Sequence, residues 1–222
     1  MLDFTNIVKA RRSIRKFRAE PVPPALIREI LVDASWSPSG GNTQPWEVIV
    51  VTGELLARLR MVLQKRVRDG VLPNPDVPMP QMWPDAHHKR YQEMVRSILT
   101  ALGIGRDDEQ ARNDFTLSMF ALYGAPCLLL FCVDRRLSVP YACLDVGLFL
   151  QGVCLSAHAR GLGTCITAAA VSYPELLRSM LPIGENRLCV IGAVLGYPDW
   201  DAPINTFPRQ RLAVEDFVMW AR

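Results

Sequence analysis

Two apolar runs dominate the hydrophobic pattern of the chain. Residues 125–133 read Ala-Pro-Cys-Leu-Leu-Leu-Phe-Cys-Val with no charged position, and residues 186–196 form a second apolar stretch whose one charge, Arg187, lies at its start. Continuous apolar runs without alternation predict strands covered on both faces. A further strand is predicted at 46–52, Trp-Glu-Val-Ile-Val-Val-Thr, from its β-branched content. Residues 54–68 follow a helical period instead, with Leu55, Leu59, Val62, Leu63 and Arg66 falling near one another on a 3.6-residue wheel. Other helices are predicted at 3–10, from Pro23-Pro24 to about Trp36, at about 85–103 and 107–123, at 141–160 and at 173–181. Proline is tolerated at a helix start, and Gly103 and Gly105 mark the break between two of these helices. Within 141–160, Ala142, Gly147, Gly152, Ser156 and Ala157 leave room for close approach, by a core helix or by another subunit. Helices mixed with few strands give an α+β class, with a central mixed or antiparallel sheet flanked by helices.

Residues 70–86 break the pattern. Gly70, Pro73, Pro75, Pro78, Pro80 and Pro84 exclude a regular element there. A connection of that length is functional or mobile in a compact domain. The tail from 211 to 222 carries Phe217-Val218-Met219-Trp220 and needs a cover, from the chain's own core or from a partner. The chain has 222 residues, half of them hydrophobic, enough for one domain spanning 1–222 with a sizeable core.

Composition then removes several classes. There are 25 Lys and Arg against 22 Asp and Glu, a net charge of +3, too even for a nucleic-acid surface. No apolar run of about 18 residues is free of charge, so no membrane span is expected. Met1-Leu2-Asp3-Phe4 does not open a secretory signal, and a cytoplasmic protein is expected. Six cysteines, none in a C-x-x-C pair, read as reduced and buried. His87, His88 and His158 lack partners at ligand spacing, so no metal site is expected. Trp36 and Trp46 read as core residues.

Two polar stretches carry candidate chemistry. Ala10-Arg11-Arg12-Ser13-Ile14-Arg15-Lys16-Phe17-Arg18 gathers five cations and a serine in one compact cluster. Guanidinium groups fork onto phosphate oxygens, and one cluster suits one phosphate. Ser37-Pro38-Ser39-Gly40-Gly41-Asn42-Thr43-Gln44-Pro45-Trp46 joins a predicted helix to a predicted strand. Its glycines allow backbone to approach a ligand, and its amides both donate and accept, which suits a flat heteroaromatic with a polar edge.

Together the two stretches resemble the FMN-dependent nitroreductase family. Two later segments match as well: Leu144-Asp145-Val146-Gly147 running to Ala159-Arg160-Gly161-Leu162-Gly163-Thr164-Cys165, and Gly196-Tyr197-Pro198 followed by Arg209-Gln210-Arg211-Leu212. Their order and spacing cover nearly the whole chain. The resemblance implies a homodimer with FMN at the subunit interface, NADH or NADPH as reductant, and a C-terminal segment exchanged with the partner. It implies that Arg11, Arg12, Ser13 and Arg15 hold the phosphate and ring edge, with Arg209 and Arg211 closing over the phosphate. Pro38, Ser39, Gly40 and Asn42 would come from the other subunit, with Gln44 behind them. Ile166, Thr167, Ala168 and Ala169 would lie against the isoalloxazine.

The flavin carries the chemistry, so no side chain is assigned as catalytic. Residues 70–123 are expected to form the lid or substrate channel, with Trp83, Phe115 and Phe120 as aromatic walls. Nitroaromatic or quinone-like acceptors reduced by a ping-pong mechanism form the main expectation, with a lean toward nitroaromatic acids. The alternatives are the same fold running dehalogenation, enone reduction or flavin cleavage, and a flavin binder without turnover.

Overall fold

The computed structural model describes residues 3–221. Its sheet has four strands, β1 (Glu47–Thr52), β2 (Cys127–Asp134), β3 (Gly163–Thr167) and β4 (Arg187–Gly196), in the order β1-β2-β4-β3. Every neighbouring pair is antiparallel, so the sheet is not mixed. Eight α-helices accompany it among the described residues: α1 (Phe4–Ala10), α2 (Pro24–Ala34), α3 (Gly53–Arg68), α4 (Asp85–Ala101), α5 (Glu109–Phe120), α6 (Val139–Ala159), α7 (Pro174–Met180) and α8 (Pro203–Thr206).

The lack of alternation in β2 has a direct cause. Leu128, Leu130 and Cys132 face one apolar layer, which holds Leu56, Leu59 and Leu63 of α3 and Leu177 of α7. Cys127, Leu129, Phe131 and Val133 face the other, built from Ile27 and Ile30 of α2 and Val146, Phe149, Leu150 and Val153 of α6. Each such leucine contributes roughly 1.5–3 kcal/mol of burial, so β2 is the spine of both layers. On α3 the buried stripe is Leu56, Leu59 and Leu63, whereas Leu55 is exposed. The expected stripe was off by one residue at its start, because a wheel drawn through Leu55 is nearly as apolar as one drawn through Leu56.

The small residues of α6 serve two purposes. A Cβ on Gly152 would come 2.9 Å from Ser37 Oγ and 3.2 Å from Ala34 Cα, so α2 crosses α6 there. Gly147 meets nothing and shares an exposed face with Tyr141, Leu144 and Leu148. By length and composition α6 could cross a membrane, yet it packs on the sheet and carries the buried Asp145. Trp46 stacks on Phe149 with ring centroids 4.7 Å apart, as a core residue should. Trp36, also expected in the core, is 88% exposed just beyond the end of α2.

Residues 71–84 contain no helix or strand but are pinned at several points. The Tyr173 hydroxyl donates to Val71 O (2.8 Å), and Asn74 N donates to Ser172 O (2.9 Å). The Asp76 carboxylate accepts from Arg178 (2.6 Å) and from Cys189 N (2.8 Å). The chain's own core does not cover the apolar tail: Leu212, Val214, Phe217, Met219 and Trp220 are all exposed.

β3 is a strand the periodicity did not reveal. Five residues of Gly-Thr-Cys-Ile-Thr are too few to carry a pattern, and the pairing with β4 defines them. Gly163 is required at its start, because a Cβ there would run into Ile14 and into Pro198 Cγ at 2.9 Å. Gly163→Val should therefore cost about 1–3 kcal/mol through overpacking, read as a lower urea midpoint at unchanged slope.

Candidate active site

Where α1 stops at Ala10 the chain turns extended and runs along the outer edge of β3. Ile14 N donates to Thr164 O (2.8 Å) and Arg18 N to Tyr197 O (2.9 Å). Ile14 and Phe17 are buried in the core. With these two side chains anchored inward, Arg11, Arg12, Ser13 and Arg15 remain half-buried at the surface.

A fully buried amide fixes the segment from behind. Asn205 Oδ1 accepts from Arg15 N (2.8 Å), while its Nδ2 donates to Lys16 O and Asp199 O (2.7 Å each). The chain after α8 then returns across the cluster. Arg12 donates to Phe207 O and lies over the Phe207 ring, 5.5 Å from its centroid. Arg209 donates to Lys9 O (2.8 Å) and to Arg11 O. Those carbonyls belong to the C-terminal end of α1, where a helix leaves acceptors unpaired and favours positive charge. Arg211 donates to Gln210 O (2.7 Å).

The result is a cleft of ≈ 300 Å³ lined by Arg11, Arg12, Ser13 and Arg15, by residues 207–212, and by Arg90, Glu93, Met94 and Ser97 of α4. Among the described residues, none of Arg11, Arg12, Arg15, Arg209 and Arg211 forms an ion pair with a carboxylate. Burial, then the charges of Arg209 and Arg15, push the Arg12 pKa below its ordinary value. Burial, Arg211 and Arg11 do the same to Arg209. Arginine stays protonated regardless, so the cleft holds uncompensated positive charge and is built to receive an anion.

Two nearby groups that could act as nucleophile or base are disabled by burial. Burial raises the Cys165 thiol pKa, and burial first of all pushes the Tyr123 phenol up to about 12. Both stay protonated at neutral pH. Among the described residues, no cluster of three His, Cys, Asp or Glu side chains could hold a metal ion.

Thus Arg11, Arg12, Ser13, Arg15, Arg209 and Arg211 come together as expected from the sequence. Pro38, Ser39, Gly40, Asn42 and Gln44 do not line this cleft. Their loop is tied to α6 through Gly40 N, 3.2 Å from Asp145 Oδ1. Within it, Gln44 N donates to Ser39 Oγ (2.9 Å), and the Gln44 amide turns back onto Asn42 (3.3 Å). Gly41, Asn42 and Gln44 all have positive φ (57°, 57° and 47°); this strained backbone persists only where the surroundings over-determine it.

Ile166, Thr167, Ala168 and Ala169 also lie outside the cleft lining, along β3 and the turn after it. The Thr167 side chain is buried, while Ile166 presents an apolar side chain to solvent. Trp83, Phe115 and Phe120 are not cleft walls in this chain. Phe120 packs in the core against Tyr173, with centroids 6.2 Å apart. The wall that sequence reasoning missed is the α4 face. Its signal was present, since Arg90, Glu93, Met94 and Ser97 fall at i, i+3, i+4 and i+7.

His158 sits on α6 within reach of this charge. Burial, then Arg11 and Arg209, lower its pKa from an ordinary 6.5. The folded protein therefore prefers the neutral ring, while the unfolded chain takes up a proton first as pH falls. Stability attributable to His158 is present above about pH 6.5 and is lost as pH drops below it. In His158→Asn the urea midpoint should fall less steeply between about pH 7 and 5, as a pH series of unfolding curves would record.

The chain was also compared with known proteins. Residues 8–197 match the model of the Nitroreductase family. A 4-nitrobenzoate reductase of Pseudomonas putida is 34% identical over 219 residues, covering 97% of this chain and 94% of that protein. The FMN and NADPH-dependent nitroreductase NfnB from Sphigopyxis sp. strain HMH superposes with a TM-score of 0.95, at 29% identity and full coverage of both chains. The FMN-dependent nitroreductase NfnB from Mycobacterium smegmatis, solved in complex with NADPH, superposes with a TM-score of 0.92, at 27% identity, over 98% of this chain and 97% of that one. With its four-stranded antiparallel sheet, its basic cleft and these matches, this chain belongs to the nitroreductase family.

Proposed function

We propose that this protein is an FMN-dependent oxidoreductase that takes hydride from NADH or NADPH and reduces nitroaromatic acceptors, working as a homodimer. The observation that carries the proposal is the cluster of unpaired guanidinium groups around the ≈ 300 Å³ cleft. A phosphomonoester brings about two negative charges at neutral pH, which fits a cleft lined by six arginines and a single carboxylate, Glu93. Arg11, Arg15 and Arg211 would hold the phosphate. Arg12 and Arg209 would mainly keep the surrounding backbone in place, since their donors already serve carbonyl oxygens. Ser13 adds a hydroxyl.

Backbone at Ile166, Thr167, Ala168 and Ala169 would border the flavin ring: Thr167 turns inward and the alanines are small, which leaves the main chain accessible, while Ile166 offers an exposed apolar side chain. When bound, FMN supplies hydride acceptance from the nicotinamide and two-electron delivery to the acceptor, in alternating half-reactions. The protein contributes binding, orientation and exclusion of water.

The second subunit enters on three grounds. The loop bearing Pro38, Ser39, Gly40, Asn42 and Gln44 is preorganised yet lies off its own chain's cleft. One face of α6 exposes Tyr141, Leu144 and Leu148. The tail exposes Phe217, Met219 and Trp220. A patch of this kind marks an interface, and a partner that covered it would bring its own loop to the flavin. The segment 70–123 acts as the substrate channel through α4, which walls the cleft.

One of the relatives is a 4-nitrobenzoate reductase. Arg90 on the α4 wall has no acid partner among the described residues, and its position favours acceptors that carry a carboxylate.

The deciding experiment is anaerobic. The purified protein should be yellow, bleach with NADH or NADPH under nitrogen, and regain colour with 4-nitrobenzoate but not with halotyrosines or enones. Arg11→Ala and Arg211→Ala should each weaken FMN retention by roughly ten- to a hundredfold, the loss of one charge-assisted bond of about 1.5–3 kcal/mol. Full flavin occupancy in both variants, or a monomer in sedimentation that still holds FMN, overturns the reading. Arg90→Gln should raise KM for 4-nitrobenzoate about tenfold, the scale of one charged hydrogen bond, while leaving nitrobenzene turnover nearly unchanged.

A further inference from the structure

We propose that Cys132 and Cys189 form an oxidisable cross-strand thiol pair, closed to a disulfide by small hydroperoxides that enter through a second cavity remote from the basic cleft. Cys132 on β2 lies opposite Cys189 on β4, just after a break in register between Phe131 and Cys132. Both side chains belong to the same apolar layer, so they share one face of the sheet. Residues directly opposite in an antiparallel pair have Cα atoms about 4.5–5.5 Å apart, inside the roughly 4.4–6.8 Å that a disulfide spans.

None of Cys127, Cys143, Cys154 and Cys165 faces another cysteine in the strand registers. Burial pushes up the thiol pKa of all four, to about 12 for Cys127.

Access and activation come from separate features. A cavity of ≈ 380 Å³ is lined by Cys132 together with Glu47, Ile49, Ile183, Glu185 and Arg187. It brings a small, uncharged oxidant up to Cys132, whose side chain is itself buried, and leaves Cys189 behind it. The hydrogen bond from Cys189 favours the Cys132 thiolate, and the Arg178 charge helps, against burial and the carboxylates of Glu47 and Asp76. The same hydrogen bond, with burial, holds Cys189 in its protonated form. Cys132 lines the cavity and Cys189 does not, so Cys132 is the attacking sulfur and Cys189 the resolving one.

In the first step the Cys132 thiolate attacks one peroxide oxygen and the O–O bond breaks. Cys132 becomes a sulfenic acid, and the hydroxide released from hydrogen peroxide (an alkoxide from an organic hydroperoxide) takes up a proton to leave as water or the alcohol. In the second step the Cys189 sulfur attacks the sulfenic sulfur, forming the S–S bond as the S–O bond breaks and a water departs. Two thiols are oxidised by two electrons, and one hydroperoxide is reduced.

The location links the pair to the irregular segment. Cys189 N donates to Asp76, the residue that pins that segment to α7 through Arg178. A bridge at Cys189 would harden the point from which the chain departs toward α4.

The test is a thiol count with peptide mapping on the purified, flavin-containing protein, treated with graded hydrogen peroxide and then denatured. The six free thiols should fall to four. A non-reducing digest should contain one cross-linked peptide joining Cys132 to Cys189, and dithiothreitol should restore all six. In Cys189→Ser, peroxide should leave a dimedone-reactive sulfenic acid on Cys132, and in Cys132→Ser no intramolecular bridge should form. Retention of six thiols at peroxide levels that oxidise glutathione overturns the proposal, as does bridging that involves Cys154 or Cys165 to the same extent. The wild-type digest decides the matter even if a variant folds poorly.

Discussion

Guanidinium groups gathered around a single carboxylate, Glu93, repel one another, and the segment from Asp199 to Arg209 holds them together. Asn205 is central to this. It is fully buried, satisfies Arg15 N, Lys16 O and Asp199 O at once, and so clamps the extended basic segment against the edge of β3. Arg209 then closes the far side through the carbonyls at the end of α1. Arg12 and Arg209 reach carbonyl oxygens far along the chain, whereas Arg15 and Arg211 bond only carbonyls one or two residues away, and these two with Arg11 are left to face an incoming anion. The fold raises the energy of the empty cleft and recovers it on binding; in a site of this kind, ligand occupancy and local stability are linked.

α6 joins the two halves of the architecture. Its inner face packs on β2, its glycine at 152 admits α2, and its buried Asp145 accepts from Gly40 N. Through that bond the helix positions the polar loop as well as the core. The opposite face, with Tyr141, Leu144 and Leu148, is apolar and uncovered. One helix therefore ties together core, loop and exposed surface, which explains why its composition is apolar throughout rather than striped.

Legibility along the chain followed the range of the interactions involved. β2 and β4 were readable because burial on both faces writes itself as an unbroken apolar run. α2 was readable from the prolines at its start. β3 was not, because it is short and depends on pairing with β4 and on Ile14 filling the space left by Gly163. Leu55 and Leu56 were confused because adjacent leucines make both wheels apolar. Trp36 and Phe120 exchanged roles for a related reason: bulk and hydrophobicity say that a ring should be covered, not which neighbour will cover it. The aromatic walls placed at Trp83, Phe115 and Phe120 gave way to a mostly polar α4 face, whose period was visible but whose partner was not.

The residue sequence by itself determined helices α1 to α7, strands β1, β2 and β4, the two-sided core and the chemistry of the basic cluster, because apolar periodicity and guanidinium groups act locally. Tertiary structure decided which arginines are tied to distant carbonyls. It also decided that the loop at 38–44 does not line its own chain's cleft, and that Cys132 meets Cys189 across the sheet. These outcomes rest on contacts between residues far apart in the chain, Arg209 with Lys9 and Asn205 with Arg15 among them, and no local pattern encodes such distances.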